Sequence, residues 1–186
     1  MIGAADLFEQ AMAWLRENYG TFRFFTERDA VWTVQRHIQT LSDAHRCFHG
    51  YPLLPGQGFG AICADLAIQP MPVPPATKDT TGRWRQSPPV EVAVEFKYEP
   101  AHSRGFDPSN DVTDIWPTKF PIINWTSVEE DIRRIREFVA KGRAKVAYAI
   151  LVDEGGYFRR RASSLHGTWV DWANGPSVHW TRVEAP

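Results

Sequence analysis

Two charged side chains lie two residues apart in an apolar stretch of the sequence, VEVAVEFKYEP at residues 90–100. Successive side chains of a β-strand point to opposite faces, so Glu95 and Lys97 would share one face of a strand here. The other face would be apolar and carry Val92, Val94, Phe96 and Tyr98. A carboxylate next to an ammonium group at the end of an apolar strand predicts a site that holds a metal ion and activates a water molecule.

A third candidate, Asp65, lies in the preceding apolar stretch, AICADLAI at residues 61–68. The alternation predicts a strand with Asp65 on one face and four apolar side chains on the other: Ile62, Ala64, Leu66 and Ile68. Aspartate is disfavoured inside strands, so a central one usually accepts hydrogen bonds or binds a metal, although a solvated edge strand also tolerates it. If the two strands pair, Asp65 meets Glu95 and Lys97.

These three side chains predict a particular chemistry. Two carboxylates close together repel each other unless a cation lies between them, and oxygen ligands with open water positions suit Mg²⁺ or Mn²⁺. The cation would bind a phosphodiester oxygen, stabilise the developing charge and lower the pKa of a bound water. Lys97 would orient the attacking water or help to deprotonate it. The alternative is an exposed strand face on which Glu95 and Lys97 form a solvated ion pair.

A fourth candidate, Glu27, opens a helix predicted from Thr26 to about residue 45, with Thr26 and Asp29 as its N-terminal cap. Glu27 lies four residues before Val31, the first member of the apolar stripe of this helix, and therefore extends that stripe. A carboxylate in such a position needs a partner. The alternative is a solvent-exposed acid in the first helical turn, where the helix dipole favours it.

Two more helices are predicted on either side of these stretches. The first covers residues 4–19, where apolar residues recur at helical spacing. The other begins at a capping box formed by Ser127 and Glu130 and stops at Gly142.

The remaining apolar runs predict further strands at residues 145–152, around 157–160 and at 177–183, whereas residues 47–60 are expected to be mainly loop. The predicted fold class is therefore α/β, with a mixed central β-sheet flanked by helices. We expect one domain over residues 1–186, with long loops at about residues 69–89 and 101–125.

The composition limits the classes of function. The chain has 186 residues, 43% of them hydrophobic, and 22 acidic against 21 basic residues, so any nucleic-acid binding must come from a local patch. No signal peptide and no apolar run long enough to span a membrane is present in the sequence, which predicts a cytoplasmic protein without membrane contact. Cys47, His49 and Cys63 match no structural zinc spacing, so buried free thiols are expected instead.

The ordered set of motifs resembles the core of the PD-(D/E)xK nuclease superfamily, which has the restriction-endonuclease-like fold. In that family a first helix often supplies a Glu, matched here by Glu27 in TERDAVW. The next strand supplies an Asp, matched by Asp65 in ADLAI, and the following strand supplies the acid-x-Lys, matched by Glu95 and Lys97 in VEFKY. The resemblance spans roughly residues 26–157. It departs from the family at Ala64, where many members have Pro, and in the long separation between Asp65 and Glu95.

The resemblance implies metal-dependent hydrolysis of phosphodiester bonds in DNA, with RNA as the alternative substrate. Glu27, Asp65 and Glu95 would be the ligands of Mg²⁺ or Mn²⁺, and these residues together with Lys97 would be catalytic. A homodimer or a protein partner that supplies specificity is compatible with this expectation. One alternative is a protein that keeps the nuclease fold without catalysis and acts as a binding or regulatory module. A more distant one is an α/β interaction module unrelated to nucleases.

A nuclease also needs a surface for the phosphate backbone, and residues 132–161 carry a local excess of basic side chains. The predicted nucleic-acid contacts within it are Arg133, Arg134, Arg136, Lys141 and Arg143. The alternative is the ordinary solvated face of an amphipathic helix followed by a basic turn.

Overall fold

Helices form where apolar residues recur every three or four positions. The computed structural model describes residues 2–56, 60–74, 87–103, 119, 121–159, 161, 165–173 and 175–185, and within these it contains three α-helices. They are α1 (Ala4–Asn18), α2 (Glu27–Leu41) and α3 (Trp125–Ala140). None of the helices in this part of the chain is both long and apolar enough to cross a membrane.

The starts of α2 and α3 are fixed by side-chain hydrogen bonds. The Thr26 amide donates to Asp29 Oδ2 at 2.8 Å, which confirms the predicted cap of α2. The predicted cap of α3 is wrong, because Ser127 already lies in the first turn of that helix. Asn124 caps it instead, with Oδ1 accepting a hydrogen bond from the Ser127 amide at 2.8 Å.

The strands pair into one sheet in the described part of the chain, in the order β1-β2-β3-β4-β6-β5. Its six strands are β1 (His45–Pro55), β2 (Ala61–Pro70), β3 (Val90–Glu99), β4 (Ala144–Asp153), β5 (Thr168–Asp171) and β6 (Ser177–Glu184). The β3 and β4 strands run parallel and are joined through α3, whereas the other neighbouring strands are antiparallel. The predicted α/β fold with a mixed sheet flanked by helices is confirmed.

Two strand predictions are wrong. The stretch expected to be mainly loop, residues 47–60, lies largely within β1, an edge strand, where prolines are tolerated because one side of the strand needs no backbone donors. The strand expected around residues 157–160 does not form in its described part. There Asp153 accepts the amides of Tyr157 and Phe158 at 3.0 and 2.7 Å, which shapes a turn, and the antiparallel partner of β4 is β6 instead.

The sheet separates two apolar cores. Helices α1 and α2 pack on the face that carries Val92, Val94, Phe96 and Tyr98, as the alternation in β3 predicts. Helix α3 packs on the opposite face against small side chains that include Ala67, Ala93 and Ala147. Because α2 and α3 lie on opposite faces, side chains that meet from both helices must do so at a gap or an edge of the sheet.

Strand β2 changes the face to which its apolar side chains point. Ile62 and Ala64 pack in the core beneath α3, whereas Leu66 and Ile68 pack in the core beneath α1 and α2, so the predicted single apolar face is wrong. Asp65 lies at the change. In β1, Gly50 lies between the partners of Leu66 and Ala64 and has φ 56°, a backbone conformation that interrupts the regular pleat.

Most of both predicted long loops, residues 75–86 and 104–118, lies outside the described residues.

Candidate functional site

The site begins where β2 and β3 separate. The two strands pair at Ile68 with Val92, Ala67 with Ala93 and Leu66 with Val94, and the pairing ends there. The residue before Leu66 in β2 is Asp65, whose Oδ2 accepts a hydrogen bond from the Phe96 amide at 2.8 Å. A side chain thus takes the place of a backbone partner, and the strands open into a fork that has Asp65 on one side and Glu95 and Lys97 on the other.

Glu95 is the most deeply buried acid of the fork, with 1% of the residue exposed. Its Oε2 lies 2.9 Å from Arg134 Nη1, whereas its Oε1 has no hydrogen-bond partner among the described residues. Burial above all, together with the nearby carboxylates of Asp65 and Asp131, raises the pKa of Glu95 to about 9 against the opposing effects of Arg134 and Lys97. Such a carboxylate is stabilised by any additional cation that reaches it.

Lys97 contacts acidic side chains of two helices, α2 and α3. Its Nζ lies 2.9 Å from Asp131 Oδ2 of α3 and 3.4 Å from Glu27 Oε2 of α2, and it donates to the Phe96 carbonyl at 3.0 Å. Burial alone would lower the pKa of Lys97, but the carboxylates of Asp131, Glu27 and Asp65 outweigh burial and raise it. The ammonium group is therefore charged throughout the physiological pH range.

Glu27 enters the site from the first turn of α2. It is half-buried, and its carboxylate pairs with Lys97 rather than facing open solvent. Burial raises the pKa of Glu27 to about 7; Asp65 and Asp131 contribute in the same direction, and Lys97 opposes them. Glu27, Asp65, Glu95 and Lys97, identified from the sequence, are therefore brought together from one helix and two strands.

Two further members of the site, Asp131 and Arg134 of α3, were not predicted as such. Asp131 is 4% exposed, and its Oδ1 lies 3.2 Å from Arg134 Nη1. It follows Val128 by three residues and precedes Ile135 by four, so it lies in the apolar stripe of its helix. This is the signal that identified Glu27, and it would also have identified Asp131.

The predicted nucleic-acid contacts have different surroundings. Arg134 belongs to the site. The Arg136 guanidinium donates to the Leu165 carbonyl. The Arg143 guanidinium donates to the carbonyls of Leu53 and Ser87. Arg133 and Lys141 are exposed and lie next to acids of the same helix, Glu129 and Glu137. A role of this surface in binding nucleic acid stays a prediction, and Arg133 and Lys141 are its most accessible members.

Other buried acids at the same end of the sheet have a structural role. Glu99 accepts the amides of Ile122 and Ile123 at 2.9 Å each, and Asp153 accepts those of Tyr157 and Phe158. The carboxylates of Glu99 and Asp153 accept hydrogen bonds from backbone amides and thereby hold the loops that follow β3 and β4. Glu95 differs, because one of its oxygens is buried with no donor.

The donor chemistry of the fork fits a hard divalent cation. Asp65 and Glu95 offer carboxylate oxygens, and the buried Glu95 Oε1 lacks a partner that a cation would supply. Arg134 and Lys97 balance the charge of the acids through ion pairs with Glu95 and Asp131. Among the described residues, accordingly, no group of three or more His, Cys, Asp or Glu side chains is already in position to hold a metal. Cys47 and Cys63 are free thiols.

Comparisons with protein-family models, with curated proteins and with solved structures find no match for this chain.

Proposed function

We propose that the protein is a metal-dependent nuclease of the PD-(D/E)xK type, which hydrolyses phosphodiester bonds in DNA. The observation that carries the proposal is the fork itself. Asp65 and Glu95 flank the point where two antiparallel strands separate, Lys97 lies two residues beyond Glu95, and Glu27 reaches Lys97 from α2. The helix, strand and strand that supply these residues follow one another in the order that the superfamily uses.

Asp65 and Glu95, with Glu27, would hold Mg²⁺ or Mn²⁺. When bound, the cation would stabilise the charge that develops on the phosphate and lower the pKa of a coordinated water. The buried, partnerless Glu95 Oε1 supports this assignment, because a carboxylate oxygen in such a position is costly unless a cation or a donor reaches it.

Lys97 would hold the attacking water and a phosphate oxygen in place through its N–H groups. Its ammonium is fixed by Asp131 and Glu27, and a lysine with a raised pKa keeps its proton. We therefore propose that Lys97 orients the attacking water. Because Lys97 stays protonated, it does not deprotonate that water. Preorganised positive charge of this kind stabilises a transition state without reorganisation during the reaction.

Arg134 would change partners during the cycle. Its guanidinium pairs with Glu95 at 2.9 Å and with Asp131 at 3.2 Å. A cation that binds Glu95 competes with Arg134 for the same carboxylate. Arg134 would then be released towards the phosphate, with Asp131 as its remaining anchor.

The test is cleavage of an end-labelled DNA oligonucleotide, with an RNA of the same sequence in parallel, in Mg²⁺ or Mn²⁺ and in EDTA. The wild-type protein is expected to cleave only with the metal. Asp65→Asn retains an oxygen that can accept the Phe96 amide and is expected to fold normally but lose at least about 100-fold in rate. Lys97→Ala is expected to lose a similar factor. Cleavage by either variant at the wild-type rate excludes the mechanism.

The second candidate function is a nuclease-fold protein that binds or regulates without catalysis. The ion pairs of Arg134 with Glu95 and of Lys97 with Asp131 favour it, because the side chains of the protein itself balance the charge of the buried acids. Calorimetric titration of the folded protein with Mn²⁺ distinguishes the two candidates. Absence of a binding heat, with an unchanged melting temperature, selects the binding module.

A further inference from the structure

A cavity of about 420 Å³ opens beside the fork, between α2 and the two strands β1 and β2. Glu27 and Asp65 line the part of the cavity that belongs to the proposed catalytic site. Arg28, Trp32 and His49 line it as well and belong to no part of that site. The cavity volume lies in the range of ordinary small-molecule sites.

The Trp32 side chain is unusual because a large indole is left uncovered. The residue is 53% exposed, although it lies only five positions after Glu27 on the same helix. Its ring meets the His49 ring edge to face, with centroids 6.1 Å apart, and the His49 Nε2 is hydrogen-bonded to Gln35. The cavity therefore has an aromatic wall that is held in place but has a face open to a ligand.

Arg28 adds an available positive charge to the cavity. Lys97 and Arg134 are engaged with carboxylates, whereas Arg28 has no acidic partner among the described residues. Burial and the nearby Arg28 guanidinium lower the pKa of His49, so its imidazole is neutral at physiological pH. An indole, a neutral imidazole and a guanidinium thus lie next to the two acids, Glu27 and Asp65.

We propose that this cavity receives an unpaired nucleobase adjacent to the phosphodiester bond that is cut, so that the substrate is a single strand or an unpaired end rather than an intact duplex. The proposal rests on the proposed nuclease function for the position of the scissile phosphate. In a duplex the base faces are covered by their neighbours. In a single strand they are free to stack on an aromatic side chain, and Arg28 is placed to contact a backbone phosphate.

The test measures binding without turnover. The anisotropy of a fluorescein-labelled thymidine oligonucleotide, and of a blunt duplex of the same length, is recorded against protein concentration in EDTA. Trp32→Ala is expected to weaken binding of the single strand by at least about fivefold, since base stacking on an aromatic residue contributes roughly this much or more. Trp32→Phe retains an aromatic face and is expected to restore most of the affinity. Leu41→Ala is the matched control, because Leu41 is an exposed apolar residue (39%) at the opposite end of the same helix.

The outcomes separate this inference from the proposed function. Tight single-strand binding that depends on Trp32, without cleavage in Mg²⁺, supports the cavity assignment and removes the catalytic proposal. Metal-dependent cleavage together with unchanged single-strand binding by Trp32→Ala overturns the cavity assignment alone. Preferential binding of the duplex by the wild-type protein, or no binding of the single strand at all, overturns it as well.

Discussion

The ammonium nitrogen of Lys97 lies 2.9 Å from Asp131 Oδ2 and 3.4 Å from Glu27 Oε2. Asp131 belongs to α3 and Glu27 to α2, which cover opposite faces of the sheet. A lysine of β3 is thus held by a carboxylate from each helix, and this is possible because β2 and β3 separate at Asp65. The position of Lys97 therefore depends on residues far apart in the sequence.

Asp131→Asn tests the positioning of Lys97. The asparagine keeps the size of the side chain but loses the charge that fixes the ammonium group, so we expect kcat to fall by about 10- to 100-fold while KM changes little. Steady-state cleavage kinetics measure both constants. Glu137→Gln, which removes a half-buried acid of the same helix that pairs with Lys141 outside the site, is expected to leave kcat unchanged. Equal kinetics for Asp131→Asn and Glu137→Gln would show that Asp131 has no such role.

Arg134→Gln tests the competition between the guanidinium and a metal. Removal of the positive charge next to Glu95 is expected to tighten Mn²⁺ binding severalfold, because the cation no longer displaces Arg134 from the carboxylate. The metal-free variant is expected to melt at a lower temperature than the wild-type protein, since buried acids lose their partner. Calorimetry and thermal denaturation measure the two effects. Weaker Mn²⁺ binding by Arg134→Gln argues against competition.

The stability of the metal-free protein is expected to fall as the pH rises. The pKa of Glu27 is raised to about 7 and that of Glu95 to about 9, both above the ordinary value of 4.5. Both groups hold a proton more tightly in the folded chain, so their contribution to the free energy of unfolding is complete below pH 4.5. It is lost as the pH passes through 7 and then 9.

Melting temperatures recorded in EDTA between pH 5 and 9 measure this loss. Each kcal/mol corresponds to a shift of about 2–4 °C for a chain of this size. Glu95→Gln cannot ionise and is expected to show a flatter pH profile, and Mg²⁺ or Mn²⁺ is expected to stabilise the wild-type protein more at pH 8 than at pH 5. Parallel profiles for the wild-type protein and Glu95→Gln would mean that Glu95 is ionised in both the folded and the unfolded chain.

Glu99→Gln distinguishes a structural acid from the acids of the fork. Glu99 Oε2 accepts the amides of Ile122 and Ile123, and Oε1 also accepts the Ile122 amide, where the NH₂ group of a glutamine cannot accept. We expect the free energy of unfolding to decrease by about 1–3 kcal/mol while kcat of the folded enzyme stays near that of the wild type. Urea denaturation and cleavage kinetics on the same preparation measure the two quantities. A large loss of kcat at unchanged stability would place Glu99 in the catalytic site.

Local patterns in the sequence predicted much of the fold and most of the fork. The alternation around Glu95 and Lys97 gave the correct faces of β3, and the position of Glu27 in an apolar stripe indicated a partner inside the protein. These signals are local, because side-chain period and helix geometry are set by neighbouring residues. The pairing of β2 with β3 then brought Asp65 to Glu95.

The errors come from features that depend on the whole sheet. Strand β1 contains Gly50, Pro52 and Pro55, which resemble a loop, and only its place at the sheet edge makes them acceptable. The change of face in β2 at Asp65 lies opposite Gly50 of β1, whose positive φ interrupts the regular pleat, and no local alternation in β2 reveals it. Arg134 was assigned to a surface for nucleic acid because its charge was visible in the sequence and its buried partner, Glu95, was not.

The rate of metal-dependent DNA cleavage by Glu95→Gln, compared with that of Glu91→Gln, tests the central claim most directly. Glu91 and Glu95 lie four positions apart in β3 and therefore share one face of the strand, but Glu91 pairs with the exposed Lys145, whereas Glu95 is buried in the fork. We predict that Glu91→Gln cleaves at the wild-type rate and that Glu95→Gln, correctly folded, loses at least about 100-fold. Equal rates for the two variants would contradict the assignment of the fork as a nuclease site.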